Sequence, residues 1–468
     1  MSGAASAAPV LGIENLFDWQ RREVDILVAS TRRLIAAAPG AGKTVTTLMS
    51  IAKRREAGKA RRVLLVAPRV ILDTVWSQEA ARWRETCGLT FDMAHRHSNI
   101  ARDEIWFEGT GSIVTCTPDL VLKFVETAKA RKSLPVDLVV VDESQLFKNP
   151  KGARSGALQA LAKIRDVWLL SGTPTPQGAI DAWVPGRVTQ PDNAWFDPNF
   201  YRWRETHFEQ ASQYSWRPKQ GTAARVNKEL AKAGSAITLR AGGSGVPKAL
   251  YGSEPHEFSA NHIERIRGFF EDGKLRLPGE TIDCGTDGAF LTKLRQLTTG
   301  FVYNTNGAAV WFDDARVDAS IDLVQRVDGP ALVAIQHRTE TDALRAAAIK
   351  AGMRVAVIDG TVPAGDRPHI IDAWNRDAYD MLLGHPAAMG HGVNLQHGSA
   401  KTIIWFSPIF DYAAFQQFNA RLIRSGQSEI VSVVSMRAPV GIDEACGEAI
   451  RRKGASESEL IEFLGRGR

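Results

Sequence analysis

Short runs of uninterrupted apolar residues, each closed by a polar or Gly/Pro cluster and followed by a helix-like stretch, recur along this chain in two blocks. The first block holds Arg33 to Ala38, Val63 to Pro68, Ser112 to Pro118, Leu138 to Glu143 and Val167 to Pro174. The second holds Ala331 to Gln336, Val355 to Ile358, Met381 to Gly384, Thr402 to Phe406 and Ile430 to Met436. Strands that are apolar on both sides of the pleat, alternating with helices, predict parallel sheets covered on both faces. Two blocks therefore predict two α/β lobes, and 468 residues is too long for one ordinary domain. The expected division is 1–184 for the first lobe, 185–309 for a stretch between the lobes that breaks the alternation, 310–445 for the second lobe and 446–468 for a tail. In such folds the polar cluster ending each strand lies on the carboxyl edge, where ligands bind.

One of these clusters is highly specific. Ala37-Ala38-Pro39-Gly40-Ala41-Gly42-Lys43-Thr44 fits the phosphate-binding pattern G-x-x-x-x-G-K-[ST] everywhere except its first position. Gly40 and Gly42 let the backbone curl so that its N–H groups point at phosphate oxygens, and a helix starting near Thr44 adds its positive end. Lys43 has the reach for the β- and γ-phosphates, and the Thr44 hydroxyl can ligate Mg²⁺.

The strand Leu138 to Val141 ends in Asp142-Glu143-Ser144-Gln145, which places two carboxylates where burial is costly without a cation or substrate. Their use is a division of labour: Asp142 for Mg²⁺ opposite Thr44, Glu143 for the water that attacks the γ-phosphate. A further strand ends in Ser171-Gly172-Thr173-Pro174, small hydroxyl residues able to sense that phosphate. Upstream, Gln20 offers an amide whose donor and acceptor match an adenine edge.

The second block has no phosphate loop of its own. Its most informative piece is Asp411 to Gln427, expected as one helix with Phe415, Phe418 and Leu422 on one side and Gln417, Arg421 and Arg424 on the other. Arginine suits a transferring phosphoryl group because its fork matches the oxygens and its charge is permanent.

Elsewhere the chain says less. Residues 185 to 300 break the alternation and interleave Trp195, Phe196, Phe200, Tyr201, Trp203, Phe208, Tyr214 and Trp216 with Arg202, Arg204, Arg217 and Lys219. Such a mixture can grip nucleic acid by stacking and charge, but we expect these aromatics to pack helices onto a lobe while the basic heads stay wet. Ala241 to Gly245 reads as a flexible connection. Four scattered cysteines form no C-x-x-C pair, which argues against a zinc module or disulfide framework. His385, His391 and His397 recur at a spacing that fits no common ligand pattern. A net charge of +6 favours a polyanionic partner. No apolar run is long enough to span a membrane and the first residues lack an export signal, so the expected location is the cytosol.

Taken in order, these strings resemble the superfamily II helicase-like ATPases, and among them the Swi/Snf-type DNA translocases, in particular compact bacterial and bacteriophage members. Gln20 matches the family's adenine-reading glutamine and Ala37 to Thr44 its motif I. The stretch from Leu64 through Pro68 and Arg69 to Trp76 resembles motif Ia, Val114 to Pro118 with Thr117 motif Ib, Asp142 to Gln145 the DExx box, and Ser171 to Pro174 motif III. Ile335-Gln336-His337-Arg338 resembles motif IV, Gly390 to Leu395 motif V, and Gln417 to Gln427 motif VI. Gln145 stands where the family usually has His.

The resemblance implies two RecA-like lobes of the P-loop NTPase class with a mainly helical insertion between them, ATP and Mg²⁺ as cofactors, double-stranded DNA as the partner, and the cytoplasm of a bacterium or a phage-infected host as the location. It implies nucleotide contacts from Gln20, Pro39, Gly40, Ala41, Gly42, Lys43, Thr44, Gly392, Asn394 and Gln417. Metal contacts would come from Thr44 and Asp142, catalysis from Lys43, Asp142, Glu143, Arg421 and Arg424, and coupling from Ser171, Gly172 and Thr173. Nucleic acid would meet Pro68, Arg69, Thr117, Gln336 and His337. Two other activities stay open at this point: unwinding of RNA or forked DNA, and an ATP-gated DNA-binding scaffold that delivers a nuclease or repair partner.

Overall fold

The computed structural model describes residues 11–37, 40–172, 174–176, 178–210, 216–237, 247–277, 279–363, 365–389, 393–424 and 426–451. The chain divides into two compact units, 1–239 and 240–468.

In the first unit the expected strands are β1 (Arg32–Ala37), β2 (Val63–Val66), β4 (Ile113–Cys116), β5 (Leu138–Val141) and β6 (Asp166–Ser171), joined by a two-residue β3 (Phe91–Asp92). The remaining strands are β7 (Phe208–Gln210) and β8 (Trp216–Pro218), which form a small antiparallel pair, and β9 (Gly234–Ile237). The main sheet runs β3-β4-β2-β5-β6-β1-β9 and is parallel throughout. Successive residues of one strand serve opposite cores. Val139 and Val141 join Leu64, Val66, Phe124 and Leu158 on one face, whereas Leu138 and Val140 join Leu65, Leu48, Ile51 and Trp76 on the other. That double burial is why the strands read as unbroken apolar runs.

The second unit opens with β10 (Ala249–Pro255), then two hairpins, β11 (Lys274–Leu277) with β12 (Glu280–Asp283) and β13 (Phe301–Tyr303) with β14 (Ala309–Trp311). Its parallel strands are β15 (Ala331–Ala334), β16 (Val355–Ile358), β17 (Met381–Gly384), β18 (Thr402–Trp405) and β19 (Val431–Arg437), in the order β10-β19-β18-β15-β17-β16.

Residues 185–309 are divided between the units. Trp195, Phe196, Phe200, Trp203, Phe208 and Trp216 pack with strand residues of the first sheet, so the aromatic stretch builds core as expected. The Arg204 guanidinium lies 3.9 Å from the centre of the Trp216 ring. Further on, Phe258, Phe269, Phe290 and Leu294 share a second-unit core with Ile442, Ala445 and Cys446 of the helix Ile442–Arg451. The 445/446 boundary falls inside that helix. Ala241 to Gly245 and residues 452–468 lie outside the described residues.

Beneath the last core sits a buried polar knot. Arg316 is fully buried and donates from Nη1 to the Phe406 carbonyl at 2.9 Å, from Nη2 to Asp443, and from Nε to His256 Nε2 at 3.1 Å. Burial and the adjacent guanidinium push the His256 pKa down to about 3, so its imidazole is neutral and accepts from Arg316.

Candidate functional site

The strand order β5-β6-β1 decides what meets on the first unit's carboxyl edge. The Gly-rich loop leaves β1, Asp142 and Glu143 leave β5, and Ser171 ends β6 between them. Two interstrand steps separate loop and carboxylates by roughly 10 Å.

Gly40 and Gly42 hold φ of 79° and 85°, the left-handed region in which a side chain is disfavoured. Gly42 has a second reason to be glycine, because a Cβ there would come within 2.2 Å of Gln20 Nε2. Gln20 is buried against the loop, donating from Nε2 to the Ala41 carbonyl at 3.2 Å and accepting at Oε1 from the Phe17 N–H at 2.8 Å. Its amide thus already braces the loop backbone. Lys43, first residue of the helix Lys43–Glu56, turns its Nζ back to the Ala37 carbonyl at 2.7 Å, with Thr44 half-buried beside it.

Asp142 is only 6% exposed. Its Oδ1 accepts from the Glu143 N–H at 3.0 Å and its Oδ2 from the Trp76 indole N–H at 3.1 Å. Glu143 adopts φ 53° and ψ 53°, a conformation that costs an ordinary residue about 1–3 kcal/mol and that clusters at working sites. A bonded chain runs from it into the next strand: Gln145 donates from Nε2 to the Glu143 carboxylate and accepts at Oε1 from Ser171 Oγ at 2.7 Å. Gln145, singled out in the sequence only as an unusual residue, is the bridge between the acid and β6.

A curled loop with Lys and Thr, facing a buried carboxylate and a conformationally held glutamate, fits a nucleotide triphosphate with a divalent cation. Thr44 and Asp142 are the groups that could hold the cation. Gly172 is half-buried beside Ser171, while Pro39 and Thr173 lie outside the described residues. Along the same edge Pro68 precedes the helix Arg69–Thr74, with Arg69 exposed, and Thr117 is half-buried before the turn at Pro118. Nearby, burial acts to raise the Asp73 carboxyl, but bonds from Arg96 and His95 outweigh it and hold the group below its ordinary range.

In the second unit the helix of motif VI is shorter than expected. It spans Tyr412–Asn419, capped by Asp411 accepting from the Ala414 N–H at 3.0 Å, and then tightens into turns. Arg421 N–H bonds to the Phe418 carbonyl and Leu422 N–H to that of Asn419, three residues back, while the Arg421 carbonyl is taken by the Leu395 N–H. Asn419 is also drawn into the core by the Trp405 indole N–H at 2.9 Å. Consequently Arg421 and Arg424 do not share one helical face. Arg421 is buried, and Arg424 donates from Nη1 to the Asn394 side chain. Phe415, Phe418 and Leu422 do reach the core, Gln417 is half-buried, and Gly392 lies outside the described residues.

At motif IV the N–H groups of Gln336 and His337 both donate to the buried Glu340 Oε2, at 2.7 and 3.1 Å, and Ser407 Oγ donates to the same oxygen at 2.6 Å. Burial depresses the His337 pKa. Among the described residues no cluster of His, Cys, Asp and Glu suited to a metal occurs, and His385 bonds to the Gln336 carbonyl at 3.1 Å.

Two known domain families match the chain. An SNF2-related domain matches residues 19–250, and a helicase conserved C-terminal domain matches 315–426. This chain is an SNF2-related helicase-family ATPase. As an SNF2-related protein it is an ATP-hydrolysing enzyme.

Its relatives include the putative protein p41 of Acyrthosiphon pisum secondary endosymbiont phage 1, 24% identical over 96% of this chain and 98% of the phage protein. The Bos taurus SWI/SNF-related matrix-associated actin-dependent regulator of chromatin subfamily A-like protein 1 is 22% identical over 96% of this chain, which spans 46% of that protein's length. The solved Pyrococcus furiosus Hef helicase domain shares the fold, with a TM-score of 0.55 at 12% identity over 93% of this chain and 98% of that one. No helix among the described residues of the SNF2-related ATPase is long and apolar enough to cross a membrane.

Sequence reasoning named Trp76 only as the end of motif Ia, with no tie to Asp142, and passed over Glu340. Trp76 lies 66 residues from Asp142, and nothing local announces that its indole N–H is committed to a carboxylate.

Proposed function

We propose that this ATPase moves along double-stranded DNA, using hydrolysis at the carboxyl edge of the first sheet to drive translocation. The observation that carries the reading is the convergence of Gln20, the Gly40 to Thr44 loop, Asp142, Glu143 and Ser171 on one edge, in a chain that also carries the helicase C-terminal domain. Support for DNA as the polymer comes from a relative described as the probable ATP-dependent DNA helicase CHR12 of Arabidopsis thaliana, 23% identical over 92% of this chain. A net charge of +6 and a pI near 9.1 suit a polyanion.

In this proposal Lys43 and the loop N–H groups bind the β- and γ-phosphates, and Thr44 and Asp142 hold Mg²⁺. The cation, when bound, neutralises phosphate charge. Glu143 orients the attacking water and takes its proton, and its bond to Gln145 ties that carboxylate to Ser171, which senses the γ-phosphate. Arg421 and Arg424 assist hydrolysis with their positive charge, with Asn394 holding the Arg424 guanidinium and Gln417 and Gly392 contributing nucleotide contacts. Pro68, Arg69, Thr117, Gln336 and His337 meet the DNA backbone.

The test is ATP turnover measured in parallel with no polymer, duplex DNA, single-stranded DNA and RNA, followed by triplex displacement on duplex DNA. Strongest stimulation by duplex with displacement supports the proposal. Stronger stimulation by RNA, or displacement of a complementary strand without triplex displacement, replaces it with an unwinding activity, and turnover indifferent to every polymer leaves only the scaffold alternative.

A further inference from the structure

Asp142 and Thr44, the two groups assigned above to the cation, sit on different elements, one at the end of β5 and the other at the start of the helix Lys43–Glu56. A metal site built from separate elements needs something that fixes their separation. Trp76 belongs to the core that both elements share. It is fully buried and opens the short helix Trp76–Ala81, and its ring belongs to the same packed cluster as Leu48 and Ile51 of the Lys43–Glu56 helix and Val140 of β5.

Strand alternation explains the meeting. Val140 faces this cluster and Val141 the opposite one, so Asp142 returns to the Trp76 side. There the indole N–H donates to Oδ2 at 3.1 Å while the Glu143 N–H donates to Oδ1 at 3.0 Å. An ionised carboxylate has about four lone-pair directions, so a donor on each oxygen fixes the plane of the group and is compatible with its binding a cation. Phenylalanine or leucine would fill the same apolar space without aiming anything.

We propose that Trp76 is a positioning residue for the nucleotide-bound divalent cation: its indole N–H orients the Asp142 carboxylate, and its ring sets that carboxylate against the helix carrying Thr44. The inference rests on the assignment of Asp142 to the metal. Partners that orient a metal ligand in this way change metal affinity about 10- to 100-fold when removed.

The test compares three forms of the full chain by equilibrium binding of a fluorescent ADP across a Mg²⁺ series and in EDTA. They are wild type, Asp142→Asn, and a protein in which Trp76 alone is replaced by 3-benzothienylalanine, which keeps the ring shape and has no N–H. A Trp76→Phe protein, checked by thermal melting, serves as the genetically simple counterpart. The expected result for the isostere is unchanged affinity in EDTA and a Mg²⁺ requirement raised roughly tenfold, the low end for such partners. Asp142→Asn abolishes the Mg²⁺ response.

An isostere with the wild-type Mg²⁺ response, beside an Asp142→Asn protein that has lost it, overturns the role of Trp76 and leaves the metal assignment standing. Equal loss of affinity with and without Mg²⁺ also overturns it, since packing alone would then be at work. A normal Mg²⁺ response in Asp142→Asn removes the metal assignment itself.

Discussion

The first and second sheets are built alike along their strands and differ at the turn that follows the first strand of each block. After β1 the chain curls through Gly40 and Gly42 into the helix Lys43–Glu56, and after β15 it turns through Gln336 and His337 into the helix Arg338–Lys350. In the second turn the N–H groups already donate to Glu340, a carboxylate from the unit's own helix, which Ser407 also holds. The comparison teaches that a strand, a turn and a helix are not enough for a phosphate site, because in the second unit the turn's N–H groups are already committed to a side chain of the helix that follows. In the proposed cycle the second unit instead contributes arginines, one of them held by Asn394.

The largest expected effect separates holding the nucleotide from hydrolysing it. Arg424→Ala should lower kcat by about 10³-fold, the scale of arginine assistance to phosphoryl transfer, with fluorescent-ADP affinity within a few-fold of wild type. Loss of affinity without loss of kcat would break the contrast between the units. Within the first unit, Glu143→Gln should keep ATP binding and cut single-turnover hydrolysis by about 10²-fold or more; unchanged turnover would remove Glu143 from its role.

Gln145→Ala should be milder. It removes one hydrogen bond to a charged group, about 1.5–3 kcal/mol at most, so kcat should fall on the order of tenfold. Combined with Ser171→Ala it should cost little more, because both act through one bonded chain; strictly additive losses would show that the chain carries nothing.

The last prediction concerns stability alone and belongs to the second unit. His256 is held neutral with a folded pKa near 3, against about 6.5 when unfolded, so protons bind the unfolded chain preferentially and stability falls as pH drops through that interval. Between pH 8 and pH 5 the contribution lost is about 2 kcal/mol. His256→Gln, which can still accept from Arg316, should flatten that part of the profile in chemical denaturation at the two pH values.

Much of this was legible because apolar strands and Gly-rich turns are local signals. β1, β2, β4, β5 and β6, and later β15 to β19, lie where their runs of Val, Ile and Leu place them. β9 and β10 were not visible, since edge strands such as Ala249–Pro255, with Leu250 and Tyr251 exposed, lack the double-sided apolar pattern. The helix expected through Arg424 failed for a different reason. Its apolar stripe is real, but the Leu395 N–H and the Trp405 indole compete for groups at its end, and both partners are distant in sequence. The bonds from Gln145 to Ser171 and from Trp76 to Asp142 were beyond reach on the same ground.

The edge strands also govern when each half of the protein can be completed. β9 pairs with β1, and β10 pairs with β19, so each sheet gains a ladder between segments from opposite ends of its own unit. Such pairings carry a high loop-closure entropy and slow the search for the native state. During synthesis the second unit therefore waits, its opening strand unpartnered, until Val431 to Arg437 have left the ribosome, and a chain cut short before Val431 leaves Ala249 to Pro255 as an open edge for aggregation.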